Sequence, residues 1–130
     1  MNEVRSVIKR NTKAINERNL DDYLKTLIFP FTYQNFNGMA FTVEEPQQYG
    51  DLFAPPWEIV LGIEPKWLRT DIEGMQEIAV MPTSAAFKLT LRWITSKETS
   101  FKPITAIWIA VYKNGAWGLQ FIHNMGTTEI

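Results

Sequence analysis

Cysteine is absent from the 130 residues, which excludes disulfides, thiolate metal sites and cysteine nucleophiles and fits a reducing compartment. Histidine occurs once, and no set of ligands at metal-site spacing accompanies it, so neither a metal nor another cofactor is expected. No excess of either charge is present. Thirteen basic residues face fourteen acidic ones without a run of either sign, so the chain has no electrostatic footprint for a phosphate backbone. Long apolar runs are missing too. No stretch is long enough to cross a bilayer, and Met1 to Arg10 interleaves charges with Val4, Val7 and Ile8 where a signal peptide would be continuously apolar. The expectation is a soluble cytoplasmic protein with neither nucleic acid nor membrane as partner. Repeats, linkers and low-complexity segments are also lacking, and one domain over 1–130 is expected.

Apolar residues make up 45% of the chain and aromatic residues 13%. A chain of this length buries roughly two-thirds of its unfolded surface, enough for one core. Val4, Val7, Ile8, Ala14 and Ile15 recur at helical intervals and define one face of an amphipathic helix, which Asn11 interrupts. Asn19 is placed to cap a second helix with Asp21 and Asp22 in its first turn, and Pro30 closes that helix at Ile28 or Phe29. Phe31 to Phe36 reads as a strand leading into a two-residue Asn37-Gly38 turn. Thr42 and Glu45 have the spacing of a capping box and predict a short third helix that Pro55 and Pro56 end. Four β-type runs follow: Trp67 to Val80, Ala85 to Thr95, Phe101 to Tyr112 and Trp117 to Asn124, the last two joined through Asn114-Gly115. In the second run Phe87, Leu89, Leu91 and Trp93 alternate with polar residues, which assigns them to the core. Helices first and a meander afterwards give an α+β layer, with helices on one face of a sheet.

This order of elements, with Ala14-Ile15-Asn16-Glu17-Arg18-Asn19-Leu20-Asp21 in the helical part, Phe29-Pro30, and the closing Tyr112-Lys113-Asn114-Gly115-Ala116-Trp117-Gly118-Leu119-Gln120, resembles the nuclear transport factor 2-like superfamily over nearly the whole chain. The resemblance is to small bacterial members without assigned activity. It implies a strongly curved mixed or antiparallel sheet forming a cone with an internal pocket. The superfamily also holds ketosteroid isomerases, polyketide cyclases, epoxide hydrolases and dehydratases, together with non-catalytic domains, so the resemblance does not select an activity. In the register set by Asn16 to Asp21, the isomerases' helical tyrosine falls on Asn11, their base aspartate on Asn35 and their second donor near Ile107. All three are replaced, and an amide is no base at neutral pH.

The expected pocket residues are Asn11, Tyr33, Asn35, Trp67, Arg69, Asp71 and His123. Tyr33 and Asn35 share a strand face that the resemblance turns inward, where Tyr33 can donate to a ligand carbonyl. Arg69 and Asp71 share a face as well, like part of the charged cluster of the epoxide hydrolases, or as an exposed ion pair. His123 is in phase with Trp117, Leu119 and Phe121 and is therefore placed on the core side, as the acid-base candidate. Three readings stand: a non-catalytic pocket for a small hydrophobic molecule, an isomerase, cyclase or dehydratase using His123 with Tyr33 or Asn35, and a protein-assembly module. Both alternating sets from Thr105 to Tyr112 are apolar, and such a strand is covered on both sides. Trp108, Ala110 and Tyr112, with Ile122, are assigned to the outer face and to a homodimer contact.

Overall fold

The structure, a computed structural model, describes residues 1–95 and 103–127. Among these, helices α1 (Asn2–Glu17), α2 (Leu20–Leu24) and α3 (Pro56–Ile63) accompany strands β1 (Leu27–Asn35), β2 (Ala40–Val43), β3 (Trp67–Val80), β4 (Ser84–Thr95), β5 (Ile104–Lys113) and β6 (Ala116–Gly126). The expected start of the third β-run at Phe101 lies outside the described residues. The sheet runs β2-β1-β6-β5-β4-β3 and is open. Its pairs are antiparallel except β1 with β6, which is parallel. The architecture is α+β, with a mixed sheet.

Helix α1 buries Val4, Val7, Ile8, Asn11, Thr12 and Ala14, the face its spacing defines. It packs across the sheet, whose inner face holds Phe87, Leu89, Leu91 and Trp93 from β4, all buried. Each such side chain contributes on the order of 1.5–3 kcal/mol by leaving water. Asn19 caps α2 as expected, accepting from the Asp22 amide at 3.0 Å. The helix stops at Leu24, earlier than Pro30 requires, because Thr26 returns its hydroxyl to the Tyr23 carbonyl and Leu27 pairs with Leu119 in the sheet. The Phe29-Pro30 peptide is cis and lies within β1.

One turn reading changes in detail and one holds. The first hairpin closes with a 3.0 Å Gly38-to-Asn35 bond and a 2.8 Å Asn35-to-Met39 bond, so the loop has three residues with Gly38 at φ 93°. Asn114 and Gly115 both have positive φ and form the expected two-residue turn. The helix expected from Thr42 is replaced by β2 and a single 3₁₀ turn over Pro46–Gln48, whose reciprocal cap pairs Glu45 with Gln48. Pro55 and Pro56 begin α3 instead of ending a helix, because a proline in the first turn gives up no hydrogen bond.

Strand β3 lies at one side of the sheet, and α1 side chains meet its outward backbone. Asn16 donates to the Thr70 carbonyl at 2.8 Å and accepts from the Thr70 amide at 2.7 Å. Arg18 donates to the Leu68 carbonyl at 2.9 Å and Arg5 to the Met75 carbonyl at 3.2 Å.

A register shift in the β5–β6 ladder corrects the face assignments. Ala110 pairs with Leu119 and Ile109 with Phe121, so Gln120 is an extra residue and the alternation of β6 reverses beyond it. Ile122 and Asn124 therefore point toward the helices, with Trp108, while Phe121 and His123 point away. Trp108 is 3% exposed and Ile122 1% exposed, both in the core. Tyr112 belongs to the helix side too, bordering a groove beside α1, and packs on Trp117. The set assigned to a dimer contact is thus an inner-face set. The outer face carries Ile107, Ile109, Val111 and Phe121, each partly exposed.

Candidate functional site: a closed cavity beneath the first helix

The inner face of the sheet, α1, α2 and α3 enclose a cavity of about 30 Å³. By the usual measure this is room for about two water molecules. Trp93, Trp108, Leu91 and Ile122 supply its sheet side, Tyr23, Pro56 and Val60 its helical side, and Tyr33 and Asn124 its end toward β1 and β6. Among the described residues its walls contain no Asp, Glu, His, Lys or Arg.

The polar groups are arranged as a relay. Trp108 Nε1 donates to Asn124 Oδ1 at 3.1 Å, and Asn124 Nδ2 donates to the Tyr33 hydroxyl at 3.4 Å. Asn124 is engaged through both its oxygen and its nitrogen, but the Tyr33 hydroxyl only accepts, and its proton has no acceptor among the described residues. Tyr23 and Tyr49 share one hydrogen bond at 3.1 Å, which uses one of their two protons. Thr12 Oγ1 is buried with no partner. Burial raises the pKa of all three phenols, most directly that of Tyr33, where the bond from Asn124 opposes it only in part. They remain neutral donors through the physiological range. The cavity is therefore lined by hydroxyls whose protons are not all taken and by no charged group.

Of the seven expected pocket residues, Tyr33 lines this cavity. Asn11 and Asn35 are buried, on the inward side the sequence assigns them, but neither reaches it. Asn11 donates to Thr26 Oγ1 at 2.8 Å and ties α1 to the turn before β1, while its own oxygen lacks a partner. Asn35 donates to Asn37 across the hairpin loop at 3.3 Å. Trp67 is buried, donates to Thr70 Oγ1 at 3.2 Å and takes the Arg18 guanidinium on its ring at 4.1 Å, a packing role at the end of α1. Arg69 and Asp71 form an exposed ion pair at 3.0 Å outside the cavity. His123 lies on the opposite face of the sheet, where its Nδ1 donates to Gln34 Oε1 and its ring stacks on Phe121 at 6.4 Å. The bulge at Gln120 separates it from the cavity, so an acid-base role there is not available to it. The cavity residues absent from the sequence reading, Thr12, Tyr23, Thr70 and Asn124, are a polar residue on an apolar helix face, a short-helix aromatic and two strand polars. Only Thr12 carried a signal, because it sits beside the buried helix stripe.

No family model matches the chain, and no curated protein matches it. Solved structures do. A Nostoc punctiforme protein of unknown function with a cystatin-like fold superimposes with a TM-score of 0.72 at 11% identity, covering 98% of this chain and 91% of that one. A proposed calcium/calmodulin-dependent kinase II association domain from Exiguobacterium sibiricum gives 0.69 at 14% identity, covering 98% and 93%. A nuclear transport factor 2-like protein of unknown function from Pseudomonas putida gives 0.68 at 14% identity, covering 94% and 82%. With its helices on one face of an open mixed sheet, this chain has the cystatin-like, nuclear transport factor 2-like fold.

Proposed function

We propose that the chain is a single non-catalytic pocket domain that binds a small, largely apolar, uncharged molecule carrying a hydrogen-bond acceptor. The surplus of hydroxyl protons around the cavity carries this reading: Tyr33, Thr12 and the Tyr23–Tyr49 pair present donors that no protein acceptor takes. A carbonyl oxygen satisfies such a site, whereas a carboxylate would be buried without a counter-charge. At about 30 Å³ the cavity holds only water-sized space, so a ligand of five or six heavy atoms enters by displacing an aromatic wall. Trp93 and Trp108 line the space and report on it. Titration with methyl propyl ketone is expected to change their emission and raise the melting temperature by linkage. Tyr33→Phe should weaken the affinity about fivefold to tenfold through one lost hydrogen bond. If the ketone leaves the emission unaltered, or binds Tyr33→Phe equally well, the reading is wrong.

The outer face supports a second element of the same proposal, a homodimer. Ile109 pairs with Phe121 and Ala86, Ile107 lies next along the strand and Val111 beyond it, which makes a continuous apolar stripe. A second copy covers it most simply, because an isologous contact lets one patch serve both subunits. One neighbour of the same fold is a proposed kinase association domain, which supports this reading. Sedimentation is expected to give a dimer at micromolar concentration, and Ile109→Lys a monomer that melts cooperatively. A concentration-independent monomer for the unmodified chain rules the contact out.

A further inference from the structure

Outside the cavity, an open groove of about 660 Å³ runs between α1 and β3. Two residues belong to both: Thr12 and Thr70 line the buried cavity on one side and the groove on the other. They are the thin part of the wall. Thr12 is 6% exposed and its hydroxyl has no partner, so a polar group is held between the two spaces without a structural bond to justify it. The β3 ladder shifts register on both sides of this point, between Trp67 and Arg69 and between Ile72 and Gly74, and bulges bend a strand locally. At this point the side-chain bonds that cross the seam are those between Asn16 and the Thr70 backbone.

The groove has a charge pattern of its own. Lys9 stands three and four residues before Thr12 and Lys13, which stand four and three before Asn16, so the four share a stripe of α1. Glu17 is taken by Lys13 at 2.9 Å and Asp71 by Arg69 at 3.0 Å. Lys9 has no ion-pair partner among the described residues, which leaves one uncompensated positive charge at the groove.

We propose that the α1–β3 seam is the entrance to the cavity, and that the groove holds the charged end of an amphiphilic monoanion whose acceptor-bearing tail passes between Thr12 and Thr70. The ligand class is a short keto acid: its ketone oxygen meets the hydroxyl donors inside and its carboxylate stays in solvent contact beside Lys9. This rests on the pocket reading above and adds to it a charge requirement that the cavity alone does not impose. A carboxylate is excluded from the cavity and accepted at its mouth, so the separation of the two ends sets the chain length.

The test compares levulinate and its longer methyl-ketone homologues with methyl ketones of matching length that lack the carboxylate, read by tryptophan emission at low ionic strength. The keto acid of fitting length is expected to bind about three to ten times more tightly than its neutral counterpart, the scale of one solvent-screened ion pair. Lys9→Glu should remove that advantage while leaving ketone binding unchanged, and Lys9→Arg should keep it. Lys113→Glu, an equal charge change at the exposed β5–β6 turn, should keep it as well. If ketones bind but the carboxylate gives no advantage, or the advantage survives Lys9→Glu, the entrance and its charge requirement are wrong while the cavity reading stands. If neither series binds, both fall.

Discussion

Trp108→Ala is expected to lower the stability of the chain by about 3–5 kcal/mol, the range for truncating a large buried aromatic residue. Trp108 is 3% exposed and lies between the cavity and the inner faces of β4 and β6. Its removal would join the vacated volume to the existing cavity, whose walls are the sheet on one side and the helices on the other and collapse onto it only in part. Asn124 Oδ1 would also lose its 3.1 Å donor, a further cost of about 1 kcal/mol for a buried acceptor. Since domains of this size are stable by roughly 5–15 kcal/mol, the loss is about a fifth of the total or more. Trp108→Phe separates the two causes: it keeps most of the ring volume and deletes the donor, and should cost about 1–2 kcal/mol. Urea unfolding measures both, with the midpoint moving and the slope unchanged. A Trp108→Ala protein that unfolds at the original midpoint but sediments as a smaller species would return this residue to a subunit contact and overturn the face assignment.

Gly118→Ala should cost about 1–3 kcal/mol, the range for overpacking. A β-carbon at Gly118 would stand 2.6 Å from Ile28 Cγ1 and 3.0 Å from its Cδ1, with the Thr26 carbonyl at 3.3 Å. The carbonyl cannot retreat, because it accepts the Leu119 amide at 2.8 Å and holds β1 against β6. The Ile28 side chain must move instead. Ile28→Ala in the same chain removes the obstructing atoms, so the double variant should lose less than the sum of the two single ones. That difference is a coupling energy of neighbouring residues and is read directly from a double-mutant cycle. Additive effects would place the strain elsewhere in the ladder.

Both predictions depend on β5 and β6, the two strands whose faces were hardest to read. In β4 the alternation of Phe87, Leu89, Leu91 and Trp93 with polar residues names the buried side without ambiguity, and the fold confirms it. In β5 both alternating sets are apolar, so composition leaves two answers and only the strand's neighbours decide between them. Its neighbour β6 carries an extra residue at Gln120 that reverses the phase of that strand midway. A single inserted residue carries no propensity signature, yet it moved His123 out and Asn124 in. The cavity followed from that: Tyr33 was legible because β1 keeps its alternation from Phe31 to Asn35, while Trp108 and Asn124 were not. The prolines misled for a different reason. Pro55-Pro56 both ends an extended segment and begins a helix, and sequence spacing alone does not choose between these uses.

The hydrogen bonds that Arg5, Asn16 and Arg18 send to the carbonyls of Met75, Thr70 and Leu68 also govern how the chain behaves in a crowd. An unpaired strand margin is a template onto which another chain can add, and repeated addition is the route to cross-β polymers. Here the template is already occupied at intervals by donors that belong to the molecule itself. The opposite margin is β2, four residues long and followed closely by Pro46, which offers little length to copy. Growth by strand addition is thus obstructed at both ends of the sheet.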